Sequence, residues 1–62
     1  MGVRYDSEAV DEVLDVLAKD GHPEGALLRL RRDVLAGDPA AEERLYRFAV
    51  TAGVAGKLGK RN

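Results

Sequence analysis

Apolar residues recur at helical spacing in three stretches of this chain, and glycine or proline interrupts the pattern each time it stops. Val10, Val13, Leu14 and Leu17 fall at i, i+3, i+4 and i+7, which lines one face of a helix, whereas a half-buried strand needs strict alternation. Asp6 and Ser7 are N-cap types, and Glu8, Asp11 and Glu12 place negative charge at the positive end of the helix dipole. The first helix is predicted at residues 7–20, stopped by Gly21. In the connector DGHPEG, Pro23 suits a first helical position and makes His22 the expected N-cap of a second helix over 23–36. Gly37 closes that helix. GDPAAEE then starts a third, with Asp38 as cap, Pro39 next, and Glu42 and Glu43 in the first turn. Ala41, Leu45, Phe48, Ala49 and Ala52 share its apolar face.

Beyond Ala52 the pattern decays. Gly53, Gly56 and Gly59 each weaken a helix, so residues 53–62 are read as a flexible, Gly-rich basic tail. A strand through FAVTAGV is the competing reading, because Val50, Thr51 and Val54 are β-branched. Short connectors favour antiparallel neighbours. The expected fold is therefore all-α: an up-down-up three-helix bundle in one domain over residues 1–52. The alternative is a helical hairpin completed by homodimerisation into a four-helix core.

Size makes partnership a physical question. A chain of 62 residues buries only about 60% of the surface it exposes unfolded. It has no Trp and no Cys, so neither a large aromatic anchor nor a disulfide staples it. Self-association or a partner is the expected compensation.

Helix 2 holds the oddest placement. With Leu27 at zero on a helical wheel, Leu30 and Val34 fall on one side, Leu28 and Leu35 at about 80–100°, and Arg31 between them at about 40°. Two seams suit a middle helix with two neighbours. Arg31 either lays its methylenes in the groove and keeps its guanidinium wet or paired, or anchors an interface.

Net charge is −1 but unevenly spread. Residues 1–24 carry seven acids against two bases, a net −5, and residues 25–62 carry four acids against eight bases, a net +4. Like charges even repeat at i, i+4, Glu8 with Glu12 and Asp11 with Asp15, which opposes an isolated helix. Basic groups on a neighbouring helix would relieve this; the other reading is an acidic surface that docks on a basic partner.

The motifs that would carry chemistry are missing. Ser7 and His22 sit at opposite ends of helix 1, too far apart for a nucleophile and its base. A phosphate-binding loop fails because Thr51 stands where its first glycine belongs and Leu58 follows Lys57. GVAG at 53–56 has the form of a GxxG clamp without the strands that fold requires. Asp20, His22 and Glu24 share a connector, but structural zinc prefers Cys and His clusters. No cofactor, metal or catalytic residue is expected.

The expected function is that of a non-enzymatic protein-interaction module, with contacts at Leu28, Arg31, Leu35, Tyr46 and Val50. Tyr46 and Val50 lie at i, i+4 beyond the main apolar arc of helix 3, where they either extend the core or form a lateral patch. Nucleic-acid binding is the runner-up, through Arg44, Arg47, Lys57, Lys60 and Arg61. Against it, Tyr46 and Phe48, the aromatics able to stack bases, are read as inward-facing, and the acidic first helix repels phosphate. A helix-turn-helix with Gly37 in its turn would put Asp33 where a small residue is usual. Residues 1–10 lack the apolar run of a signal peptide, MGVRYD misses the myristoylation pattern, and no stretch approaches a bilayer span. The expectation is a cytoplasmic protein, with a composition suggestive of a GC-rich bacterial or phage genome.

Overall fold

A computed structural model describes residues 5–58 of the chain. It is all-helical among those residues, with α1 (Ser7–Lys19), α2 (Glu24–Leu35), α3 (Pro39–Ala52) and α4 (Ala55–Leu58). The strand considered through residues 48–54 does not form. Val50 and Thr51 continue α3, where the Thr51 hydroxyl donates to the Arg47 carbonyl at 3.1 Å.

The three glycine stops share one hydrogen-bond pattern. At the end of α1, the Gly21 amide donates to Ala18 O and the His22 amide to Leu17 O, each at 3.1 Å. Gly37 and Asp38 close α2 the same way onto Val34 and Asp33, and Gly53 and Val54 close α3 onto Val50 and Ala49. Paired bonds of this kind satisfy the carbonyls that a helix end leaves bare, and they require a left-handed residue, usually glycine. Gly21, Gly37 and Gly53 have φ of 99, 91 and 77°.

This pattern corrects the expected cap of α2. The His22 amide is committed to closing α1, and Pro23, in extended conformation, is the N-cap, so the helix begins at Glu24. Asp38 does carry the role expected of it, accepting from the Ala40 amide at 3.0 Å while Pro39 opens α3.

The larger correction lies beyond Ala52. The chain does not leave the bundle there. It turns at Gly53 and returns through α4, and Leu58 is buried at 3% exposure. The bundle has a short fourth helix, and residues 53–58 belong to it; residues 59–62, the rest of the expected tail, lie outside the described ones. The helical reading stopped too soon because glycine at 53 and 56 looks like the end of order, when Gly53 is the residue that permits the turn. An added Cβ at Gly53 would meet no atom within 4 Å, so Gly53→Ala tests backbone strain alone. It is expected to cost about 1–2 kcal/mol, read as a lower thermal midpoint with unchanged helix content.

Val10, Val13, Leu14 and Leu17 of α1, Leu27, Leu30 and Val34 of α2, Ala41, Leu45 and Ala49 of α3, and Leu58 form one core. Two contacts give the helices their course. Arg31 meets Asp11 across the α1–α2 connector, as antiparallel neighbours require. Phe48, near the end of α3, meets His22 in that same connector, so α3 runs back against α2.

Candidate interaction surfaces

Arg31 sits where the helical wheel of α2 puts it, between the buried Leu27–Leu30–Val34 seam and the outer Leu28. Its guanidinium does not reach the core. The Arg31 Nε donates to Asp11 Oδ1 at 2.7 Å, with both side chains about half exposed. That hydrogen bond, and then the charge of Asp11, hold the Arg31 guanidinium above its ordinary pKa, against a smaller opposing effect of burial. The sign is clear: a raised value in the folded state favours folding below it, and the contribution disappears only as pH climbs through the strongly alkaline range.

The acidic ridge of α1 is answered in part from inside the fold. Beyond Asp11, Glu12 receives Lys57 of α4 at 3.7 Å, and Lys19 reaches Asp15 at 3.6 Å. The like-charge stacking of α1 is thereby relieved on one side, as the pairing of an acidic helix with basic neighbours implies. Glu8, Asp20 and Glu24 have no ion-pair partner among the described residues. Arg31→Met is expected to shift the thermal midpoint by no more than a few degrees in either direction, because a long apolar side chain replaces the methylenes that line the groove. Collapse of the fold in a melting curve would contradict this.

Apolar side chains outside the core fall into two groups. Leu35 is half-buried and packs against the core cluster. Leu28 on α2, and Tyr46 and Val50 on α3, are exposed by 59, 48 and 52%. Of the two readings open for Tyr46, inward against the core or outward as a lateral patch, the structure has the outward one, because Leu45 and Ala49 already define the buried line and Tyr46 stands about 100° from Leu45. Phe48 is half-buried and takes the inward-facing place, 5.0 Å from the His22 ring in an edge-on contact. His22 Nδ1 is buried there without a hydrogen-bond partner among the described residues.

Next to Tyr46 and Val50, the Arg47 guanidinium bonds Glu43 one turn earlier at 3.4 Å. Ala40, Glu43, Arg44 and Arg47 line a shallow, solvent-open depression of about 230 Å³. Of the cations singled out for nucleic acid, Arg47 is paired with Glu43 and Lys57 with Glu12. Arg44 has no ion-pair partner among the described residues, and Lys60 and Arg61 lie outside them. The structure thus brings Arg44 and Arg47 together and places Lys57 on a different helix. Among the described residues no cluster of three or more His, Cys, Asp or Glu is placed to hold a metal ion, and no helix is long and apolar enough to cross a membrane.

No protein-family model, curated protein or solved structure matches the chain.

Proposed function

We propose that this chain is a non-enzymatic protein-interaction module, a small regulator, adaptor or assembly subunit that works through its helical surfaces. One observation carries the reading. Tyr46 and Val50 stand adjacent on α3, about half exposed, while the core closes without them. Tyrosine is favoured at contact sites because its ring is broad and apolar and its hydroxyl still bonds water or a partner. Leu28 is a second, separate apolar point on α2. Arg31 and Leu35 have duties within the fold and would contribute at the edge of a contact.

Nucleic-acid binding stays as the second reading because of Arg44, which has no ion-pair partner among the described residues and lies beside Arg47 in the depression on α3. It needs phosphate to reach that face despite Glu43 in the same lining. Fluorescence anisotropy with labelled DNA and RNA at two salt concentrations tests it, and no binding at the lower one removes it.

The main reading is tested with Tyr46→Asp. An exposed substitution changes stability by about 0.5 kcal/mol or less, so helicity and melting should hold. Capture of a partner from the native cell, followed by rebinding of that purified partner, should be lost. A variant that binds the purified partner as well as the parent does would refute the assignment of this face.

A further inference from the structure

We draw no further inference here: the strongest candidate, the exposed surface patch of Tyr46 and Val50 on α3, is an unpartnered apolar face, and nothing in the structure shows what covers it.

Discussion

Leu45→Ala abolishes the cooperative melting of this protein, or lowers its midpoint by tens of degrees. Leu45 is fully buried, and truncating such a leucine costs about 2–5 kcal/mol through lost burial and the cavity left behind. The whole stability of a chain this size is about 3–9 kcal/mol, so one side chain commands a large share of it. Each kcal/mol moves the midpoint of a small domain by about 4–8 °C. Relaxation cannot easily close the gap, since Val10, Val13, Leu17 and Val34 around the same core are already at or near full burial. Circular dichroism during heating reads the result directly. Leu28→Ala is the matched control, the same deletion at an exposed site, and should stay within about 0.5 kcal/mol of the parent. Equal behaviour of the two variants would mean that α3 packs with a different face inward.

Leu58→Ala is expected to cost about 2–4 kcal/mol, a large effect for a residue four positions from the end of the chain. A leucine in an unstructured basic tail would cost nothing measurable, so this variant separates a bundle of four helices from one of three. The loss comes from the apolar surface that Leu58 covers between α1 and α3, both of which α4 contacts. Lys57→Ala removes only the exposed 3.7 Å pair with Glu12 and should change stability by a few tenths of a kcal/mol. Urea titration of both variants against the parent gives the comparison. A Leu58→Ala midpoint equal to that of the parent would detach α4 from the core.

What could be read from residues alone was whatever repeats. The 3.6-residue recurrence in α1, α2 and α3 identified ten of the eleven buried core residues, including Ala41 and Ala49, because every turn of a helix restates which face is inward. Leu58 escaped because α4 has four residues, too few for any period to show, and its glycines speak against order when taken singly. The caps divided along physical lines. Asp38 was legible since its carboxylate caps through chemistry visible in the sequence. His22 was misplaced since the bond that decides its role, from its amide to Leu17, depends on how the preceding helix ends. At the surface, the wheel put Tyr46 and Val50 outside the main arc of α3, yet whether such flanking residues extend the core or stay exposed depends on the neighbouring helices, which no single helix records. Arg31 was located by angle, but the choice of Asp11 among the four acids of α1 is a tertiary fact.

The return of α4 also bears on how the molecule folds. Glu12 and Lys57 meet across roughly 45 intervening positions, whereas the α1–α2 and α2–α3 hairpins close through connectors of three or four residues. Bringing distant segments together loses more chain entropy than closing a short loop, and the difference grows only logarithmically with length. The two hairpins, which close short loops, are therefore expected to assemble before α4 is seated against α1. By the same reasoning, amide protons of α4 are expected to exchange with solvent through openings that leave the three long helices intact, which hydrogen exchange followed by NMR would read.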